Sequence, residues 1–141
     1  MENILGIDYG LKYTGLAVID KNHYLPFGFK SILTIKLFDF INKYIKKNKI
    51  NKIIIGLPIN FKNKKCFIEY YIKKFIIDIK KKNPNIIIKR INEILTSKIA
   101  LYYINNSNLK KKNRNKELIH KISAEIILQS YIDLYINKYK K

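Results

Sequence analysis

The segment "NILGIDYGLKYTGLAVID", residues 3–20, decides the fold, because it places an aspartate at the tip of a predicted hairpin. Two short apolar runs, 3–8 and 15–20, flank a turn that contains glycine, a pattern typical of a β-hairpin. Asp8 ends the first run, and glycines follow it two and seven residues later. Two interpretations stay open here: the aspartate shapes an ordinary turn, or it is held at a strand tip to bind metal or phosphate.

The composition is that of one globular domain spanning residues 1–141. Hydrophobic residues make up 48% of the chain and charged residues 28%, which is enough to bury a core without disulfides. The single cysteine, Cys66, excludes an intrachain disulfide framework and is typical of a reducing compartment. No apolar run approaches the roughly 20 residues that span a bilayer, and the N-terminus has no signal-peptide pattern. We expect a cytoplasmic protein with no membrane partner.

The charge is strongly positive, with a formal net value of +19 at pH 7. Clustered cations release counterions from phosphate backbones, so this balance favours a nucleic-acid partner. Only Arg90 and Arg114 are arginines, and the lysines accompany many Ile, Asn and Tyr residues, whose codons are rich in A and T. A genome rich in A and T produces the same bias in proteins of any function, so the charge alone does not decide the partner.

Strands and helices alternate in the rest of the chain. We predict three further strands, at 24–30, 52–56 and 85–90, the first at a sheet edge because of its proline and the other two buried. We predict four helices, at about 34–48, 64–82, 95–104 and 117–137. The lysine-rich segment 105–116 is expected to form a mobile loop. A meander followed by strand–helix alternation predicts an α/β domain, a mixed five-stranded sheet flanked by helices.

Several side chains have expected packing roles. Thr34 is expected to cap the first helix through its hydroxyl group. The apolar stripe of the last helix is predicted to consist of Ile119, Ile122, Ile126 and Leu134. We expect four tyrosines to lie in the core or at its boundary rather than in a stacking surface: Tyr70, Tyr71, Tyr102 and Tyr103.

Two carboxylates follow predicted strands and are candidates for one site. Asp8 ends the first strand, and Glu93 comes just past the last apolar residue of the fifth. If the first, fourth and fifth strands are parallel neighbours, the two residues converge at one edge of the sheet. Unpaired carboxylates brought together repel and raise at least one pKa, whereas a divalent cation removes the repulsion. The pair therefore predicts a metal site, although Glu93 has the alternative role of capping the helix that follows.

Four motifs, in register along nearly the whole chain, resemble the YqgF family of Holliday-junction-resolvase-like nucleases. "GIDYGLKYTGLAV" at 6–18 resembles the opening strand and turn of that family, and "GLPIN" at 56–60 its Gly-Leu-Pro-x-Asn turn. "NEILTS" at 92–97 and "SAEIILQSY" at 123–131 resemble its later acidic segment and final helix. The resemblance implies an RNase H-like fold and a cytoplasmic nuclease for the 5′ end of pre-16S rRNA, with Holliday-junction resolution as an alternative.

The chain departs from the family pattern at positions that bear on catalysis. The third metal-binding aspartate of the family aligns with His120, which ligates manganese more readily than magnesium. Glu117, one helical turn earlier, is the other candidate for that ligand. Tyr13 stands where the family usually has a basic residue, Asn92 where it has an aspartate and Ile94 where it has an arginine.

The resemblance implies hydrolysis of a phosphodiester bond by two ions of Mg²⁺ or Mn²⁺. Asp8 and Glu93 would hold the metal, with His120 or Glu117 as the further ligand, and His120 would alternatively donate a proton. Phosphates of the RNA would be held by lysines, and Tyr13 would stack on a base. The remaining nucleic-acid contacts implied for the chain are Lys12, Asn60, Lys110, Lys111 and Lys112. The partners implied are pre-16S rRNA, ribosomal particles or branched DNA, bound by a monomer or weak homodimer.

Each of these residues has a structural alternative, and two other functions stay open. His120 is compatible with a partly exposed helix residue, Asn60 with a tie in its turn, and the lysine run with a solvated loop. An ATP-binding module of the actin-like or sugar-kinase class also carries Asp-x-Gly followed by Thr-Gly, but it needs a second glycine-rich loop, and this chain has five glycines in total. A non-catalytic RNA-binding or ribosome-assembly protein would retain the fold without the third carboxylate.

Overall fold

The computed structural model describes residues 3–20, 25–58, 67–92 and 116–136. The strands are β1 (Ile4–Asp8), β2 (Tyr13–Asp20), β3 (Leu25–Leu33), β4 (Lys52–Leu57) and β5 (Ile87–Asn92). The α-helices are α1 (Leu37–Asn48), α2 (Phe67–Lys82) and α3 (Lys116–Tyr131). A 3-10 turn at Thr34–Lys36 precedes α1, and a π-helical turn at Ile132–Ile136 follows α3. None of the helices in these ranges is long and apolar enough to cross a membrane.

The five strands form one mixed sheet in the order β3-β2-β1-β4-β5. β1 pairs antiparallel with β2, and β2 with β3, so the first three strands form the predicted meander. β1 pairs parallel with β4, and β4 with β5, which confirms that the first, fourth and fifth strands are parallel neighbours. The carboxyl ends of these three strands therefore meet at one edge of the sheet, which we call the carboxyl edge.

Helices cover both faces of this sheet. Side chains alternate along each strand, so Leu5 and Ile7 pack in the core under α1 and α2, while Ile4 packs in the core under α3. The run of isoleucines at 53–55 in β4 is fully buried on both faces. This confirms the prediction of a buried central strand and explains why its sequence is continuously apolar.

The predictions for the two edge strands need correction. β5 spans 87–92 rather than 85–90, because Pro84 and Asn85 form a turn in which the Ile86 amide donates to Asn83 O. β5 is also an edge strand with only Ile91 buried, not the buried strand that its apolar run predicts. β3 is the predicted edge strand with Pro26, but it extends to Leu33, opposite Tyr13 of β2.

Three predicted side-chain roles are wrong. Thr34 does not cap α1: the residue at the N-cap is Lys36, which makes no side-chain capping bond. The predicted stripe of α3 is only half-buried or exposed, and its buried face consists of Ser123, Ala124, Ile127, Leu128 and Tyr131. Tyr70 and Tyr71 are exposed rather than in the core. The predicted helix at 95–104, with Tyr102 and Tyr103, lies outside the described residues, as does Cys66. Of the predicted loop at 105–116, only Lys116 is described, and it is the first residue of α3.

Candidate active site at the carboxyl edge

Asp8 lies at the carboxyl edge, in the middle of the sheet. It is the last residue of β1, and only 5% of its surface is exposed. The register pairs Ile7 with Ile55 and Leu57 with Asn92, so β4 ends beside Asp8 and β5 ends one strand further along the sheet. Glu93 is the next residue of the chain after β5. Neighbouring strands lie about 4.8 Å apart, so β1 and β5 are separated by about twice that distance.

Helix α3 places His120 next to Asp8. Its ring nitrogen Nδ1 lies 2.7 Å from Asp8 Oδ2. The aspartate side chain is 8% exposed and the histidine side chain 24%, so this charge-assisted contact is largely shielded from water. When Nδ1 carries the proton it donates to the carboxylate, and the bond then fixes the orientation of the imidazole. The structure thus joins the first strand to the last helix through two candidate site residues.

Glycines in the sheet allow α3 to approach closely enough for this contact. A Cβ atom at Gly15 would lie 1.9 Å from the carbonyl oxygen of His120, and one at Gly10 would lie 2.6 Å from its ring. A Cβ at Gly28 would lie 2.7 Å from the carbonyl oxygen of Lys121. Backbone therefore contacts backbone where α3 crosses β2 and β3. Ser123 and Ala124, small residues of the same helix, are fully buried.

The turn after Asp8 is held by two threonines. The Thr34 hydroxyl donates to Gly10 O at 2.7 Å, and the Thr34 amide donates to Lys12 O at 2.8 Å. Since the single hydroxyl hydrogen of Thr34 is used on Gly10, Thr14 donates the 2.8 Å bond between the two hydroxyls. The threonine that the sequence assigns to a helix cap instead fixes the backbone next to Asp8.

The other predicted site residues divide into those that the structure describes and those that it does not. Lys12 is exposed, and its ammonium lies 5.5 Å from the centre of the Tyr13 ring, which is half-exposed. Glu117 is exposed, and its carbonyl oxygen accepts a hydrogen bond from the Ser31 hydroxyl. The remaining predicted residues lie outside the described residues: Glu93, Asn60, Lys110, Lys111 and Lys112.

The donor set fits part of a divalent metal site. Asp8 supplies carboxylate oxygens, which Mg²⁺ and Mn²⁺ prefer, and His120 supplies an imidazole nitrogen, which Mn²⁺ accepts. Within residues 3–20, 25–58, 67–92 and 116–136, no three His, Cys, Asp or Glu side chains form a group that would hold a metal ion. The described part of the site therefore needs a further ligand.

Two features near this edge have no counterpart in the sequence analysis. Arg90 of β5 forms a two-pronged ion pair with Glu69 of α2, with nitrogen–oxygen distances of 2.7 and 3.1 Å. Tyr9 follows Asp8 on the opposite face of the sheet and packs against Phe75 of α2. Burial, and then the nearby Tyr71, raise the pKa of the Tyr9 phenol above its ordinary value. In the sequence, the signal that points to this ion pair is an arginine in a chain whose cations are nearly all lysines.

The sequence matches the family model RuvX, described as Holliday junction resolvase, over residues 2–134. A protein of Karelsulcia muelleri, provisionally named a pre-16S rRNA nuclease, is 46% identical over 136 residues, covering 94% of this chain and 99% of its own length. A protein of Bacteroides fragilis with the same provisional name is 40% identical over 134 residues, covering 94% and 97%. These matches confirm the resemblance that the motifs indicate.

Solved structures support the fold assignment. RuvC of Thermus thermophilus, in complex with a Holliday junction substrate, superposes with a TM-score of 0.60 and 10% identity, over 96% of this chain and 97% of that chain. A second structure of the same protein gives a TM-score of 0.57 with 9% identity. At this identity the likeness concerns the fold alone, which is RNase H-like. The chain therefore belongs to the RuvX family, described as Holliday junction resolvases, and is an enzyme of the nuclease class that acts on phosphodiester bonds.

Proposed function

We propose that the protein is a metal-dependent endonuclease that processes the 5′ end of pre-16S rRNA during ribosome biogenesis in the cytoplasm. The observation that carries the proposal is the buried Asp8 carboxylate at the end of β1, 2.7 Å from His120 and on the edge where β5 ends before Glu93. The provisional names of the relatives support the RNA substrate. The net charge of +19 suits any nucleic acid.

In this proposal Asp8 and Glu93 would hold Mg²⁺ or Mn²⁺. Bound at these residues, a divalent ion would supply Lewis-acid chemistry for the attack of water on the phosphodiester and for the departure of the leaving oxygen. Asp8 suits the anchoring role because β1 lies between two paired strands, and because the threonine bonds fix the turn that follows it. A carboxylate on a rigid strand keeps its position when the substrate binds.

We assign the third metal-ligand position to His120 rather than to Glu117. The contact with Asp8 Oδ2 places the imidazole at the carboxylate, whereas Glu117 is exposed one turn earlier in α3. The Nδ1–H group would orient Asp8, and Nε2 would serve as a ligand or carry a proton to the leaving oxygen.

Replacing His120 by alanine should lower the cleavage rate by about 10- to 100-fold, the range typical for loss of a residue that orients a metal ligand. Glu117→Ala, the matched control on the same helix, should stay within about threefold of the unchanged protein. His120→Asp should retain activity and shift the metal preference towards magnesium, because a carboxylate oxygen replaces an imidazole nitrogen. Cleavage rates measured as a function of Mn²⁺ and Mg²⁺ concentration test these expectations. A larger loss of cleavage in Glu117→Ala than in His120→Ala would assign the third metal-ligand position to Glu117.

The nucleic-acid contacts in this proposal come from the turn after Asp8 and from segments outside the described residues. Lys12 and the lysines at 110–112 would bind phosphates as point charges, Tyr13 would stack on a base, and Asn60 would contact the RNA. The protein would act as a monomer or weak homodimer, on free RNA or on ribosomal particles.

The family description favours a second candidate, cleavage of a four-way DNA junction. The deciding experiment incubates the protein with a precursor 16S fragment and with such a junction, under Mg²⁺, under Mn²⁺ and with excess chelator. We expect cleavage of the RNA in either metal and none with the chelator. Undiminished cleavage with the chelator would contradict the metal proposal. Cleavage of the junction alone would support the second candidate, and binding without cleavage would indicate a non-catalytic RNA-binding protein.

A further inference from the structure

The first turn of α2 exposes three aromatic side chains. Phe67 is 79% exposed, Tyr70 69% and Tyr71 47%, and we call these residues the α2 aromatic surface. They occupy positions i, i+3 and i+4 of the helix, so they share one side of it. The rings of Tyr70 and Tyr71 meet edge to face with their centres 5.4 Å apart. Such a cluster in water is uncommon unless it binds something.

An ion pair fixes this surface at the carboxyl edge. Glu69, the residue before Tyr70, pairs with Arg90 at 2.7 Å. The same guanidinium donates to Gly56 O at 2.9 Å and to Ile55 O at 3.3 Å, at the end of β4. The two-pronged geometry fixes orientation as well as distance. The start of α2 is thereby tied to the strand that pairs with β1 beside Asp8.

A further aromatic pair joins α2 to the residue that follows Asp8. Tyr9 is bonded in sequence to Asp8, and its ring lies 6.0 Å from that of Phe75, one turn after Tyr71. Asp8 and Tyr9 point to opposite faces of the sheet. The carboxylate therefore lies on the α3 side of the carboxyl edge and the aromatic rings on the α2 side.

Exposed lysines adjoin the rings. Lys73 and Lys74 lie three and four residues after Tyr70, on the next turn of α2, and both are exposed. Surfaces that bind single strands combine cations that follow the phosphate backbone with aromatic rings on which bases stack. The pattern of rings and lysines on α2 has both components.

We propose that the α2 aromatic surface stacks on unpaired bases of a single-stranded RNA segment whose phosphate backbone crosses the carboxyl edge at Asp8. This deepens the proposed nuclease function and rests on it. A base inside a duplex already stacks on its neighbours, whereas an unpaired base offers both faces. The enzyme would therefore select substrates that are single-stranded beside the cleaved bond.

The test measures binding without cleavage, by fluorescence anisotropy of a labelled single-stranded RNA 12-mer in the presence of chelator. The double variant Tyr70→Ala/Tyr71→Ala should bind at least about fivefold more weakly than the unchanged protein, because each base–aromatic stack contributes substantially to affinity. Tyr70→Phe/Tyr71→Phe keeps both rings and should bind within about twofold. Tyr135→Ala is the control, because Tyr135 is as exposed as Tyr71 but packs against Tyr131. The Tyr131 hydroxyl accepts a hydrogen bond from Lys52 at the start of β4. This variant should bind the RNA with unchanged affinity.

A 12-base-pair RNA duplex and a four-way DNA junction complete the test. The Tyr70→Ala/Tyr71→Ala variant should bind the duplex and the junction as tightly as the unchanged protein does. Unchanged affinity of the alanine pair for the single strand, or an equal loss for the duplex, would overturn the inference. If the unchanged protein forms a dimer and the Tyr70→Ala/Tyr71→Ala variant does not, the surface serves self-association, and the inference is overturned as well. If the rings matter for binding but the unchanged protein cleaves no RNA with metal, the nuclease proposal fails and the stacking surface stands.

Discussion

Replacing Asp8 by asparagine should lower RNA cleavage by at least about 10³-fold, with the fold unchanged. Asparagine keeps the size of the side chain but removes the negative charge that would hold the divalent ion. Loss of a few kcal/mol of transition-state stabilisation corresponds to a rate change of this size. The amide would still contact His120 through its oxygen or nitrogen, so the position of α3 should be retained. Cleavage rates under saturating metal measure the effect.

Asp78→Asn is the matched control for this variant. Asp78 is a half-buried carboxylate near the far end of α2, so the same chemical change there should leave cleavage within about twofold. Both variants should bind the single-stranded RNA 12-mer as the unchanged protein does, which separates loss of chemistry from loss of binding. Full activity of Asp8→Asn would remove the carboxyl edge from consideration as the catalytic site.

Replacing Gly15 by alanine should have the largest effect on stability. The added Cβ would lie 1.9 Å from the carbonyl oxygen of His120 and 2.6 Å from the amide nitrogen of Lys121. These are backbone atoms that cannot rotate away, so α3 must move. Overpacking of this kind costs about 3 kcal/mol or more, and the melting temperature should fall by roughly 10 °C. Cleavage should fall with it, because His120 moves away from Asp8. Urea unfolding and activity measured well below the melting temperature check both effects.

Gly6→Ala provides the comparison. The three atoms nearest to its Cβ would all belong to the side chain of Leu128, the nearest at 2.5 Å, and a side chain can adopt another rotamer. We expect a smaller loss of stability and retained activity. A Gly15→Ala protein that unfolds within about 1 kcal/mol of the unchanged chain would show that α3 does not depend on backbone contact with β2.

Much of the fold follows from local patterns in the sequence. The hairpin with Asp8 at its tip is visible because apolar runs flank a glycine turn, and the buried β4 is visible because Ile53, Ile54 and Ile55 are continuous. The parallel neighbours β1, β4 and β5 follow from the alternation of strands with helices. The convergence of Asp8 on the carboxyl edge could therefore be predicted, and so could the candidacy of His120 once the family resemblance was used.

The errors concern features that depend on a partner distant in sequence. Thr34 looks like a cap because helix-start preferences are local, yet Gly10 and Thr14 offer its hydroxyl closer partners. The approach of α3 to Gly15 of β2 and Gly28 of β3 joins segments distant in sequence, and the periodicity within the helix does not indicate which of its faces makes these contacts. Glycine inside a strand signals close approach of another backbone, but it does not say which one. The ion pair that ties the first turn of α2 to β5 likewise joins residues 21 positions apart in the chain, Glu69 and Arg90.

The pairing of Asp8 with His120 joins positions 112 residues apart in the chain. Shifting the register of α3 by one residue would rotate the imidazole by about 100° around the helix axis. Asp8 therefore contacts His120 only after the helix has docked on the sheet in one register. During translation, the first strand leaves the ribosome long before the helix does. A nascent chain that has not passed residue 120 carries the aspartate without the histidine, so full activity at this site would require that synthesis has passed residue 120.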